Sequence, residues 1–295
     1  MRHFMKTRLI LQFLFIFNIF FVDAQVFKLI DEIDGKPVKY ANIKSVNNDS
    51  GTSSDSLGLF TFSSNDSIII NAVGYQNKIV YLRNSTSNIK LSVKEIEIPE
   101  VVLHKRKNQS EIIIDKIEQI NVDQYYGLSN ATTSWIIGNY FKNKSYKTKF
   151  LKNISVVTFS NTKNALFNVR LYSVDKNKRP SEELYSQNII GIAKKGRHKT
   201  KVDLSTANIQ IPDDGIFIAI DWIKIDKNLY EYNYHMANSE EKLKGKAYSP
   251  SFGAISSVDK EKTLIYRENF WNSAVKTIKK NENYAILLME LTLTD

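Results

Sequence analysis

VFKLIDEIDGKPVKYANIKSVNNDSGTSSDSLGLFTFSSNDSIIINAVGYQNKIVYLRNSTSNIKLSVKEIEIPEVVL, residues 26–103, is the stretch that decides the fold. Short runs rich in Val, Ile, Phe and Tyr alternate in it with turn signals at Asp34-Gly35, Asn48-Asp49-Ser50-Gly51, Leu57-Gly58 and Asn65-Asp66. Runs of that length bounded by Gly, Asn, Asp and Pro predict a small antiparallel sandwich. Gly35 supplies the positive φ of a turn and Pro37 fixes φ as the next strand opens. Residues 51–62 read as a hairpin turning at Asp55 to Gly58, with Phe60 and Phe62 on one face of the strand that follows.

Four features carry a resemblance: Asp34-Gly35-Lys36-Pro37, Tyr40-Ala41-Asn42-Ile43, the segment Gly51 to Phe62, and Ile68 to Ile70 leading to Val73-Gly74-Tyr75. In this order they resemble the carboxypeptidase-regulatory-like domain, and Glu97-Ile98-Pro99-Glu100-Val101-Val102-Leu103 is similar to the segment that ends such domains. The resemblance implies a transthyretin-like seven-stranded β-sandwich of the kind common in envelope proteins of Bacteroidota. It covers about a quarter of the chain, residues 25–103. Where the family usually has a second acidic or Asn residue before the hairpin Gly, this chain has Leu57, which argues against a cation site at that turn.

Ahead of this module, Arg2, Lys6 and Arg8 precede an apolar run from Leu9 to Val22, and Val22-Asp23-Ala24 offers small or compact residues before Gln25. That is the pattern of a secretory signal peptide, residues 1–24, with a mature chain starting at Gln25. An apolar run of about fourteen residues, interrupted by Asn18, is short for a membrane span, which takes about twenty. The expectation is export to the periplasm, the outer membrane or the medium, with no transmembrane span in the mature chain. Three cations and one anion leave with the leader, so the formal +10 becomes +8. Basic groupings at His104-Lys105-Arg106-Lys107 and Lys194 to Lys199 suit acidic envelope glycans better than nucleic acid. Cysteine is absent, which removes disulfides, thiolate metal sites, a Cys nucleophile and lipoprotein anchoring.

Residues 104–133 read as a linker, in which Ile113, Ile117 and Ile120 suit either a short amphipathic helix or a strand. From 134 to 295 strand candidates recur between Asn-, Gly-, Pro- and Lys-rich turns, predicting a larger β-sandwich of jelly-roll type. In Ala165–Val174 the residues Ala165, Phe167, Val169 and Leu171 share one face while Asn168 and Arg170 take the other, the alternation of a half-buried strand. Gly215 to Ile225 is apolar in both phases and belongs in the middle of a sheet. The chain as a whole reads as mainly β, in two domains.

The chemistry-bearing patterns are sparse. His104, His198 and His235 have no Glu three residues on, and neither H-E-x-x-H, G-x-S-x-G nor a phosphate-cradling Gly-rich loop occurs. Asp213, Asp214, Asp221, Glu231 and Glu290 are the candidates for a glycosidase-like carboxylate pair, which only the fold brings together. Among aromatics, Trp222 runs in phase with Ile216, Ile218 and Ile220 and belongs to the core, while Trp135 and Trp271 carry no such pattern. Tyr230, Tyr232 and Tyr234 alternate with Glu231 and Asn233, so an extended segment presents three rings on one face. These three tyrosines are the candidate ligand-binding residues.

The expected function is that of a non-catalytic binding or scaffolding protein of the bacterial cell envelope, with no cofactor, no metal, and an envelope protein or a glycan as partner. The alternative is a carbohydrate-binding module protein for polysaccharide capture; a hydrolase whose site is invisible in sequence stands behind both. N-terminal sequencing of the protein expressed in an exporting bacterial host is expected to begin at Gln25; an intact Met1 leader on the folded product would refute the export reading.

Overall fold

The computed structural model describes residues 24–63, 65–94, 110–130, 134–143, 150–236, 240–267, 270–277 and 283–295. The leader, the segment Glu97 to Leu103 and the basic group around His104 lie outside these residues.

Seven strands make the first module: β1 (Ala24–Asp31), β2 (Asn42–Ser45), β3 (Gly51–Ser53), β4 (Leu59–Ser63), β5 (Ser67–Asn71), β6 (Lys78–Tyr81) and β7 (Asn88–Leu91). They form two sheets, β4-β1-β7 and β3-β2-β5-β6, with β7 parallel to β1. The faces that meet carry Phe27, Leu29, Ile43, Phe60, Ile68 and Ile70, all buried in one cluster. Phe27 and Phe60 stack at 5.5 Å between centroids. Phe60 and Phe62 share the buried face as the alternation requires.

The segment Gly51 to Phe62, however, is not a hairpin. β3 pairs with β2 and β4 with β1, so the turn at Asp55 carries the chain from one sheet to the other. The Asp55 carboxylate accepts hydrogen bonds from the backbone N–H groups of Leu57 and Leu59 at 2.8 and 2.9 Å, and Gly58 has φ +75°. The same turn chemistry serves both connections, and which sheet receives the exiting strand is settled by packing of the two faces.

The second module holds β8 (Glu111–Ile114), β9 (Gln124–Ser129), β10 (Ile136–Phe141), β11 (Phe150–Ser160), β12 (Ala165–Val174), β13 (Pro180–Glu183), β14 (Ile189–Ala193) and β15 (Gly196–Asp203). It continues with β16 (Ile216–Trp222), β17 (Leu229–His235), β18 (Lys242–Ser257), β19 (Thr263–Arg267), β20 (Phe270–Ser273), β21 (Tyr284–Leu287) and β22 (Met289–Thr294). One sheet runs β13-β12-β16-β10-β19-β20 with β14 also against β12; the other runs β17-β18-β11-β22-β8, with β15 on β11 and both β9 and β21 on β18. Phe167, Val169 and Leu171 of β12, Ile218 and Ile220 of β16, and Ile154 of β11 belong to the core between them. Of the two readings open for the isoleucines after 110, Ile112 to Ile114 take the strand, pairing with β22. β8 and β9 therefore make the sandwich begin ahead of 134, because the edges of β22 and β18 supply ladder partners that no local pattern announces.

β12 has the predicted phases but not the predicted exposure: it is buried on both faces from Ala165 to Tyr172. The first module covers the polar phase. Arg170 is only 5% exposed. Its Nε and Nη2 donate to Glu183 of β13, its Nη1 donates to Asp221 of β16 at 3.4 Å, and the same Nη1 donates to Asn71 Oδ1 of the first module at 2.7 Å. Further hydrogen bonds cross the junction. Ser53 N–H donates to Lys224 O at 3.2 Å, Lys224 N–H donates to Ser53 Oγ at 2.9 Å, and Asn188 Nδ2 donates to Lys39 O at 3.0 Å. Gly74, with φ +80°, lies so close to Ser186 that a Cβ would stand 2.4 Å from its carbonyl oxygen.

Burial pushes the Asp221 carboxyl up from its ordinary 3.8 to about 6, although Arg170 and Ser134 pull the other way. The folded chain thus holds a proton on Asp221 at pH values where the unfolded carboxyl is ionised. Stability from this group is full below pH 4 and is lost as the pH rises through about 6. Asp221→Asn is expected to flatten that part of the stability-against-pH curve in urea denaturation. Arg170→Leu, which strands two carboxylates, is expected to cost about 3–5 kcal/mol at neutral pH. An unchanged curve in the first variant, or a cost below about 1 kcal/mol in the second, would contradict this reading of the cluster.

Candidate functional site

The tyrosines singled out by alternation lie on β17, which ends the eight-stranded sheet and has β18 as its one neighbour among the described strands. The register sets Tyr230 against Ala247, Tyr232 against Gly245 and Tyr234 against Leu243. One face of this two-stranded ribbon therefore carries three rings opposite small or apolar residues. The other face carries Glu231, Asn233 and His235 opposite Lys246, Lys244 and Lys242. Period-two alternation on both strands separates an aromatic side from a basic one.

Ring centroids are 6.1 Å apart for Tyr230 and Tyr232 and 5.9 Å for Tyr232 and Tyr234, with planes tilted by 45° and 41°. Tyr232 and Tyr234 are 41% and 42% exposed, whereas Tyr230 is half-buried where the ribbon joins the body. Burial pushes the Tyr230 phenol up. Tyr232 lies across Gly245 so closely that a Cβ there would stand 2.6 Å from its ring. The glycine thus fixes the height of the middle ring and leaves its outer face to solvent.

A hollow of about 620 Å³ opens beside Tyr230 and Tyr232, with Ser129 of β9, Asn161 after β11, Lys195 before β15 and Ala247 of β18 also on its wall. The hydroxyl, amide and ammonium groups of Ser129, Asn161 and Lys195 come from three loops or strand ends far apart in sequence. Nothing in the sequence joins Ser129 or Asn161 to the tyrosines, and Lys195 stood out there only as part of a basic run. The juxtaposition arises because β18 accepts β17 and β9 on its two sides at Ala247.

The other sequence candidates are dispersed. Trp222 is in the core, stacked on Trp135 at 4.9 Å, and its Nε1–H donates to Pro250 O at 2.8 Å. Glu290 is buried on β22, accepting from the Ile117 backbone N–H and pairing with Lys199 at 2.6 Å. Asp221 belongs to the Arg170 cluster in the opposite sheet, Asp213 and Asp214 lie exposed ahead of β16, and Glu231 pairs with Lys246 at 3.3 Å on the surface. His198 Nε2 contacts Lys195 O at 2.9 Å and His235 is exposed. Among the described residues no group of three His, Asp or Glu side chains is arranged to hold a metal ion, and no helix is long and apolar enough to cross a membrane.

No family model matches the chain, and no curated protein matches its sequence. Among solved structures, it is similar to the cysteine protease and lectin-like domains of a surface layer associated protein of Clostridium difficile, with TM-score 0.37, 11% identity, and coverage of 83% of this chain and 45% of that one. A second likeness is to the structure of infectious bursal disease virus, Gx strain, with TM-score 0.23, 8% identity, and coverage of 91% of this chain and 58% of that one. The chain spans about half the length of these structures, and likenesses this distant carry no argument about its function.

The packing separates site from core energetically. Trp222→Ala is expected to cost about 3–5 kcal/mol in chemical denaturation, and Tyr234→Ala less than about 1 kcal/mol, since Tyr234 is exposed at the sheet edge. Comparable losses in the two variants would mean that the strip is a structural element.

Proposed function

We propose that the chain is a non-catalytic binding protein of the cell envelope, exported by its leader, that captures glycan chains on the tyrosine strip of β17. The observation that carries this reading is the row of three rings at 6.1 and 5.9 Å spacing, two of them exposed on an edge ribbon. Aromatic rings exposed in a contiguous row at a sheet edge favour a recognition surface. Their faces suit the C–H faces of successive sugar rings, and Ser129, Asn161 and Lys195 in the adjoining hollow offer hydrogen bonds to hydroxyl or acidic substituents. The resemblance of residues 25–103 to the carboxypeptidase-regulatory-like domain agrees with an envelope setting.

A scaffold for another envelope protein is the second reading, and the outer edge of β17, which pairs with none of the described strands, favours it, because a free ladder accepts a strand from another chain. Affinity electrophoresis in gels cast with neutral and acidic bacterial polysaccharides distinguishes the two. Retardation by at least one polysaccharide is expected, weakened roughly three- to tenfold by Tyr232→Ala or Tyr234→Ala and lost when all three tyrosines are replaced. Unchanged retardation in the triple variant, or none with any polysaccharide, would refute glycan capture by the strip. Recovery of one envelope protein by both wild type and triple variant would establish the scaffold instead.

A further inference from the structure

A second cavity, in the opposite layer of the molecule from the strip, lies where the two modules meet. Its floor is the outer face of the seven-stranded sheet. Ladder register lines up Tyr172 beside Phe217, Ile136 beside Tyr266, and Tyr266 beside Trp271 across β12, β16, β10, β19 and β20. Trp271 is the centre of this aromatic row, with Phe217 at 5.0 Å, Tyr266 at 5.3 Å and Tyr172 at 5.8 Å between centroids. The roof is the end of β5 and the loop after it, from Asn71 to Asn77 of the first module, and the cleft between floor and roof has a volume of about 530 Å³. Clefts of this size at domain junctions, part aromatic and part polar, are where small ligands bind.

The polar groups on the wall define the ligand. Arg170 looks like an anion hook, but its Nε, Nη1 and Nη2 are already donating to Glu183, Asp221 and Asn71. Two carboxylates around one guanidinium leave no net positive charge to draw an anion. At the mouth, Lys94 is paired with Glu182 at 2.6 Å. Asn71 and Asn77 are joined, Asn71 Nδ2 donating to Asn77 Oδ1 at 2.5 Å, which leaves the Asn77 amide N–H groups for a guest. Tyr172 is 8% exposed and lines the cavity, yet its hydroxyl makes no hydrogen bond to any described residue. The hydroxyl itself is not sealed from solvent, so it carries no penalty of unpaired burial and can bond a guest in the cavity. The amides and hydroxyls of Gln76, Asn77, Ser181, Tyr172 and Tyr266 are neutral donors and acceptors surrounding an aromatic platform.

We propose that this cleft is a binding site for one neutral, polyhydroxylated ring, a single sugar residue, seated on Trp271 and Tyr266 and hydrogen-bonded by Tyr172 and Asn77. The site takes groups from both modules, so an occupant joins them as Arg170 does. It is independent of the β17 strip and stands whether or not the strip binds glycan.

The test is equilibrium titration of the purified protein with methyl glycosides of glucose, galactose, mannose and N-acetylglucosamine, with glucuronate and lysine methylamide as charged comparators. Tryptophan emission and calorimetry are both read. Trp222 is buried and Trp135 is partly buried and stacked on it, so the Trp271→Phe variant identifies the reporter. Saturable one-to-one binding of at least one neutral glycoside is expected, with the emission change absent in Trp271→Phe. Tyr172→Phe, which keeps the ring and its packing, and Asn77→Ala are each expected to weaken binding about three- to tenfold. Replacement of Tyr230, Tyr232 and Tyr234 by Ala leaves it unchanged. The proposal is overturned by no saturable binding across the neutral panel, by tighter binding of either charged comparator, or by wild-type affinity in both Tyr172→Phe and Asn77→Ala.

Discussion

A guanidinium cannot be left uncompensated away from water, and that constraint organises the junction of this molecule. Arg170 sits on the middle of β12 with its charge balanced by Glu183 and Asp221 from the strands on either side, and with Asn71 of the first module closing over it. Taking such a group out of solvent is worthwhile only when its donors are filled, and a partner from the other module is part of that filling. The polar phase of β12, which in an isolated sandwich would face water, becomes an interior between modules. Asn168, donating to Asn188 Oδ1 at 2.6 Å, and the Ser53 and Lys224 bridge extend the same seal. Lys224 is itself buried enough that its ammonium is pushed down to about 8, and its Nζ donates to Asn130 O while facing the Tyr248 ring.

The two candidate surfaces follow from how the sheets end. On the eight-stranded sheet, Tyr232 and Tyr234 of β17 are exposed, and Gly245 beneath the middle ring fixes its height. On the seven-stranded sheet the outer face is covered, but the first module rests on Arg170 at one side and leaves a gap over Trp271. One surface is an open strip suited to a chain that continues past it; the other is a cleft between modules, sized for a single unit.

Alternation made Tyr230, Tyr232 and Tyr234 legible as one face, and the same rule placed Trp222 with Ile216, Ile218 and Ile220 in the core. It failed where a second partner changed the meaning of a phase. Arg170 and Asn168 read as solvent-facing because residues 165–174 carry no sign that another module covers them. Asp55 to Gly58 read as a hairpin because the Asx turn and the positive-φ glycine are common to a hairpin and to a crossing between sheets. Ser129 and Asn161 were invisible, since their relation to Tyr230 exists only through the pairing of β18 with strands on both sides.

The amino-acid sequence by itself determined the mainly β composition of the fold, the faces of β12, β16 and β17, and the absence of any thiol chemistry. Each of these rests on local rules: side-chain alternation at period two, turn residues, residue type. The tertiary structure alone decided which polar face is buried, which sheet receives β4, and which distant side chains share a hollow or a cleft. Those outcomes depend on contacts between residues far apart in the chain, and the energy of burying Arg170 or sheltering Trp271 is a property of the assembled layers.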